Sequence, residues 1–252
     1  MTEQSHNENF SSKLIKRIAA PQVAPPWQMS DVIVSVLALA LAMMLIAPTI
    51  ASGLSPSLNA LTPQALMIGW SIGAIIASAF ILISRRSDMA HMVALRLQGS
   101  GLMFFYLLLM GVAVALIADL IAAAISGGFI PVAELTGISG TTWVIAGFFM
   151  MVLQPLSEGL LFQGIVLPFL RTSFGARPGY LATVLLFVVM RVLIYGTALS
   201  GNAFIGYGII IPLLTGLSVS AMRLYTGSTR DAIIMQAGIG LTFILTAIFL
   251  TG

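Results

Sequence analysis

An all-α, polytopic transmembrane helix bundle of about seven spans is the fold the sequence predicts, and three observations carry that expectation. Of 252 residues, 59% are hydrophobic and 8% charged, and the mean hydropathy is +1.06; a soluble domain of this size needs far more charge to cover its surface. The apolar residues gather into seven runs, near 31–54, 63–84, 101–126, 142–169, 179–197, 203–224 and 231–250. Each is close to the ~20 helical residues that cross a hydrocarbon core of about 30 Å. The basic residues fall almost entirely between alternate runs.

Residues 1–26 form a polar, then basic, then proline-rich segment, and residues 27–252 read as a single membrane domain. In the stretch 10–20, Phe10, Leu14, Ile15 and Ile18 fall on one helical face and Lys13, Lys16 and Arg17 on the other. Two readings fit: a short interfacial helix on an anionic leaflet, or a tail that supplies only topogenic charge. The first long apolar run starts too late and runs too long for a signal peptide. Trp27, after Pro25 and Pro26, has the placement of an interfacial anchor. The fourth run is overlong and interrupted by Pro155, Gly159, Gly164 and Pro168, which predicts a kinked or broken helix.

Lys13, Lys16 and Arg17 precede the first run, Arg85, Arg86 and Arg96 follow the second, Arg171 and Arg177 follow the fourth, and Arg223 and Arg230 flank the turn between the sixth and seventh. The loops 55–62, 127–141 and 198–202 contain no Lys or Arg. The positive-inside rule then predicts an integral protein of the cytoplasmic membrane, N-terminus in and C-terminus out. The formal charge of +3 follows from this topology and calls for no nucleic-acid partner. With no cysteine, and His6 and His91 the only histidines, thiolate chemistry is excluded and a metal site or other cofactor is not expected.

Three ionisable residues lie inside the runs: Asp119, Glu158 and Arg191. A charged group at membrane depth is costly and marks a functional site by default. Glu158 lies 13 residues before Arg171, and Arg191 lies 13 residues after Pro178, so both sit roughly 20 Å along their helices from the same face at 1.5 Å per residue. Helices joined by a short loop are antiparallel neighbours, which makes a Glu158–Arg191 ion pair the natural way to spare the bundle two uncompensated charges, with Asp119 a third candidate member. Such groups either pin helices together or line a water-accessible polar pocket. Gln236 and the glycines at 206, 208, 216, 238 and 240 read as interhelical glue and close-packing positions.

The stretch 157–175, SEGLLFQGIVLPFLRTSFG, resembles the signature of the CPBP (Abi) family, the intramembrane glutamic endopeptidases that include the type II CAAX prenyl proteases. That signature typically reads Glu-Glu-x-x-Phe-Arg-Gly and continues into an Arg-x-x-Phe-Gly turn. Alignment on Phe162 and Gly164 puts Glu158 at the first glutamate, Gly159 at the second and Gln163 at the arginine. The second motif, Phe-x-x-x-His, resembles Phe187 to Arg191, with the arginine in the histidine position. The third, a His-x-x-x-Asn helix after a Thr-Gly-Ser turn, resembles Thr226-Gly227-Ser228 followed by Gln236, in the histidine position, and Ile239, in the asparagine position. The resemblance covers about residues 142–245.

In that family the resemblance implies that glutamate and histidine activate a water while the later histidine and asparagine stabilise the oxyanion. Here only Glu158 survives. An arginine at 191 is a permanent cation that cannot act as a base, although Gln236 retains a donor for an oxyanion. The expectation is therefore a CPBP-like membrane protein with an eroded protease site, acting as a scaffold or binding subunit for a membrane-protein partner or a membrane or prenylated peptide. The alternative is an active endopeptidase using Glu158, Gln163, Arg191 and Gln236 in unfamiliar roles. A small transporter or channel is the weaker third reading, because the runs show no repeat symmetry.

Overall fold

The computed structural model describes residues 10–21, 23–55, 61–86, 88–98, 101–130, 142–196 and 199–251. Among these, six helices are long and apolar enough to cross a membrane: α2 (Met29–Leu54), α3 (Pro63–Arg85), α5 (Phe104–Ser126), α6 (Thr142–Phe174), α7 (Ala176–Tyr195) and α8 (Gly201–Thr226). The seventh apolar run forms α9 (Thr229–Thr251), a continuous helix of 23 residues. Two shorter helices, α1 (Phe10–Ala19) and α4 (Met89–Ala94), complete the described set. The protein is an integral, all-helical membrane bundle.

The helix ends follow from local chemistry. At the start of α3, Thr62 accepts a hydrogen bond from the Ala65 N–H at 3.2 Å and Pro63 occupies the first turn, where its missing N–H costs nothing. Ser228 accepts from the Asp231 N–H at 3.2 Å at the start of α9. Helix α8 stops at Gly227, whose φ of 76° is the left-handed conformation that glycine adopts without a Cβ penalty.

Helix α6 is kinked in register but not broken. It runs as α-helix with π-helical stretches at Phe149–Leu153 and Gly159–Val166, and each stretch ends two residues before a proline, Pro155 or Pro168. The same pairing recurs at Ala42–Ile46 before Pro48 and at Phe204–Ile210 before Pro212. In all four, the residue just before the proline donates its N–H five residues back: Ala47 to Ala42, Gln154 to Phe149, Leu167 to Phe162 and Ile211 to Gly206. A proline lacks the N–H for the i−4 carbonyl and its ring crowds that carbonyl. A wider turn relieves the clash while keeping the neighbouring carbonyls bonded, which a bilayer interior demands.

The segment before the first span is tied to the bundle. Phe10–Ala19 form a helix, with Ile18 packed against the cluster of Leu167, Tyr180, Val184 and Leu224. Ile15 remains exposed. Arg171 donates to the carbonyls of Ala20 at 2.5 Å and Arg17 at 3.4 Å. Trp27 departs from the anchor role: it is 4% exposed and its indole N–H donates to the Ile165 carbonyl at 3.2 Å. A buried indole needs an acceptor, and the second π stretch of α6 supplies one. The basic segments meet at one end of the bundle, where the Thr229 N–H donates to the Arg96 carbonyl at 2.9 Å and the Arg223 Nε to Thr229 Oγ1 at 2.9 Å.

Helices α5 and α9 approach to backbone contact. A Cβ placed on Gly111 would run into the Met235 carbonyl oxygen, and one on Gly238 into the Leu108 carbonyl oxygen. Small residues permit this approach where lipid offers no hydrophobic drive for association. The expected outcome for Gly238→Ala is a loss of about 1–3 kcal/mol, the usual cost of overpacking a tight contact. Reversible unfolding of the detergent-solubilised protein measures it, and an unchanged midpoint would refute the close-approach assignment.

Candidate functional site: a carboxylate held between three helices

Glu158 lies in the five-residue α-helical stretch Gln154–Glu158 between the two π stretches of α6, and it is 4% exposed. Because that short stretch keeps ordinary α geometry, Gln154 and Glu158 share a face four residues apart, and Gln154 Nε2 donates to Glu158 Oε1 at 3.1 Å. Helix α7 contributes Arg191, which donates to Glu158 Oε2 through Nη2 at 2.7 Å and Nε at 3.1 Å. Helix α9 contributes Gln236, whose Nε2 donates to the same oxygen at 2.5 Å. Every donor here is a side-chain N–H, so the carboxylate takes part as acceptor only.

The arginine is held in turn. Its guanidinium carbon lies 5.0 Å from the Phe187 ring centroid and 6.0 Å from that of Tyr195, within the range of cation–π attraction. Tyr195 packs edge-on to Trp70 at 5.2 Å, and Trp70 stacks on Phe149 at 6.0 Å. Aromatic side chains from α3, α6 and α7 thus fix the direction from which the cation meets the carboxylate.

The structure brings together Glu158, Arg191 and Gln236, and keeps Gln163 and Asp119 apart from them. Gln163 Nε2 donates instead to Ser220 Oγ at 3.1 Å, linking α6 to α8. Asp119 makes no contact with the pair and lies on the wall of a cavity of about 480 Å³, which Gln154, Arg191 and Gln236 also line. The three donors to Glu158 line this cavity and Glu158 itself does not. Sequence reasoning passed over Gln154 as a donor and Trp70 and Tyr195 as supports. The four-residue spacing of Gln154 and Glu158 is the signal that could have found the first; the aromatic supports come from distant segments and leave no local signal.

Positions that depart from the glutamic-endopeptidase pattern are filled by packing. A Cβ on Gly159, at the second glutamate position, would collide with the side chain of Ile233 on α9. Ile239, at the asparagine position, is a buried apolar residue on the cavity wall. No group of three or more His, Cys, Asp or Glu side chains suited to a metal ion occurs among the described residues.

Residues 140–242, from the start of α6 to the middle of α9, are similar to the family model described as Type II CAAX prenyl endopeptidase Rce1-like. The chain matched no curated protein and no solved structure.

The geometry dictates a pattern of mutant stabilities. Arg191→Ala leaves a buried carboxylate facing only two amides and is expected to cost about 3–5 kcal/mol, as when one partner of a buried pair is removed. Adding Glu158→Gln removes the orphaned charge, so the double variant is expected to regain a large part of that loss. Thermal unfolding of both variants in the same micelle measures the difference; a double variant no more stable than Arg191→Ala would exclude the pairing as the source.

Proposed function

We propose that this Rce1-like membrane protein is a binding or scaffold subunit in which the protease centre no longer acts as a base. The observation that carries this reading is the saturation of Glu158. Both carboxylate oxygens accept from side-chain donors, one of them the Arg191 guanidinium, and the cavity reaches those donors but not the carboxylate itself.

A general base must reach the proton it removes and have an affinity for it near the working pH. A carboxylate bonded to a guanidinium and two amides fails the first condition, since their N–H groups take up lone-pair directions a water would use. The packing of Ile233 against Gly159 further supports the reading, because it fills the space a second carboxylate would occupy. What remains is a cleft bordered by apolar and aromatic side chains, suited to holding a membrane-embedded ligand or peptide segment.

With the basic segments at the cytoplasmic end, the N-terminus lies inside and the C-terminus outside. Phosphatase fused after residue 252 is expected to be active and a fluorescent protein at the same place dark; the opposite result would reverse the topology.

The catalytic question is tested with purified protein in proteoliposomes and a prenylated peptide ending in a CAAX-type sequence. Wild type and Glu158→Gln are expected to release product at the same background rate. Turnover by the wild type that Glu158→Gln abolishes would establish the active-endopeptidase reading instead.

A further inference from the structure

The cavity of about 480 Å³ carries two buried acceptors that have no donor among the described residues. Asp119 is 3% exposed and its Oδ2 meets no donor among the described residues. Gln236 is 2% exposed; its amide nitrogen is spent on Glu158, and its Oε1 is likewise without a donor. Both residues line the same cavity. Orphaned acceptors at this depth are costly, and native proteins keep few of them.

Charge points the same way. The side chains gathered around this part of the bundle are two carboxylates, Glu158 and Asp119, and one guanidinium, Arg191. The guanidinium is bound to Glu158 through Nε and Nη2, and Asp119 forms no ion pair among the described residues. The remaining wall is apolar and aromatic, with Met43, Met67, Trp70, Phe149 and Tyr195 among its residues, and aromatic faces attract cations as readily as they accept alkyl chains.

We propose that the cavity binds a single-tailed amphiphile with a primary ammonium head, the head donating to Asp119 and to Gln236 Oε1 and the tail lying along Met43, Met67 and Trp70. An ammonium group offers three donors and one positive charge, which matches two acceptors and one uncompensated carboxylate. The volume sets the size. A single turn of transmembrane helix, about 10 Å across with a 5.4 Å pitch, occupies roughly 420 Å³, so the cavity takes a small ligand, in the usual range for one, and not a partner helix. The inference rests on the reading of the cleft as a binding site and adds the chemistry of its ligand.

The test uses the full chain in lipid nanodiscs with decylamine, decanol and decanoate, which share a tail and differ in the head. Binding is followed by tryptophan fluorescence, with Trp70 in the cavity wall as reporter, and by thermal shift. Decylamine is expected to bind about tenfold or more tightly than decanol, as a charge-assisted hydrogen bond to a buried carboxylate implies, and decanoate most weakly. Asp119→Asn, which keeps the side-chain shape, is expected to erase the preference for the amine over decanol. Equal affinity for the three heads, or an amine preference that survives in Asp119→Asn, overturns the ammonium assignment and leaves the cleft as a binding site. Failure of all three to bind overturns both. Peptide turnover in the assay above, with the amine preference intact, would remove the non-catalytic reading and keep the ligand class.

Discussion

A negative charge at membrane depth must be neutralised within the protein, and the way Glu158 meets this requirement determines how α6, α7 and α9 sit together. Each helix gives the carboxylate a donor: Gln154 from α6, Arg191 from α7 and Gln236 from α9. Because the desolvation cost of two buried charges is of the same order as their attraction, such a cluster adds little net stability. Its effect is on specificity. A small rotation of α7 or α9 would leave an unpaired charge in hydrocarbon, so competing packings are penalised far more than the native one is favoured. The aromatic side chains around Arg191 serve the same end by restricting the guanidinium to one approach.

That convergence depends on the backbone of α6. Two π stretches bracket the carboxylate, and each adds a residue to its turn, advancing the face of the helix relative to a regular α-helix. The prolines that close these stretches set where the advance occurs. Between them, one short α-helical turn keeps Gln154 in line with Glu158, and within the second the Ile165 carbonyl receives the Trp27 indole. The proline-induced irregularity therefore links the site to the N-terminal end of the chain and does more than relieve local crowding.

Much of this was legible in the sequence because a bilayer makes patterns simple. Apolar runs gave the helices, since length and hydropathy suffice when no other spanning structure is available, and the counted depth of Glu158 and Arg191 puts them level on adjacent helices. The unread features depend on the third dimension. That α6 stays continuous was hidden because proline is a breaker in the one-dimensional pattern, while π-helical bonding accommodates it in space. Trp27 had the sequence position of an interfacial anchor, but the docking of the N-terminal segment buries it. Gln163 stood beside the glutamate in sequence and is turned toward Ser220 of α8 by the second π stretch. The aromatic supports of Arg191 come from three separate helices, a coincidence that no local spacing records.

The substitutions at the site behave as a matched set. Arg191 is balanced by Glu158, the hydrogen in place of a side chain at Gly159 is matched by Ile233 pressing into the space, and Gln236 replaces one donor with another while Ile239 turns a polar position apolar. Unpaired charges or voids at these positions would each be costly in a low-dielectric core. Here the carboxylate is fully satisfied, and the groups left wanting partners, Asp119 Oδ2 and Gln236 Oε1, stand on the cavity wall. Unsatisfied groups facing an open space, next to a carboxylate bonded through both oxygens, are the observation that supports the proposed ligand site.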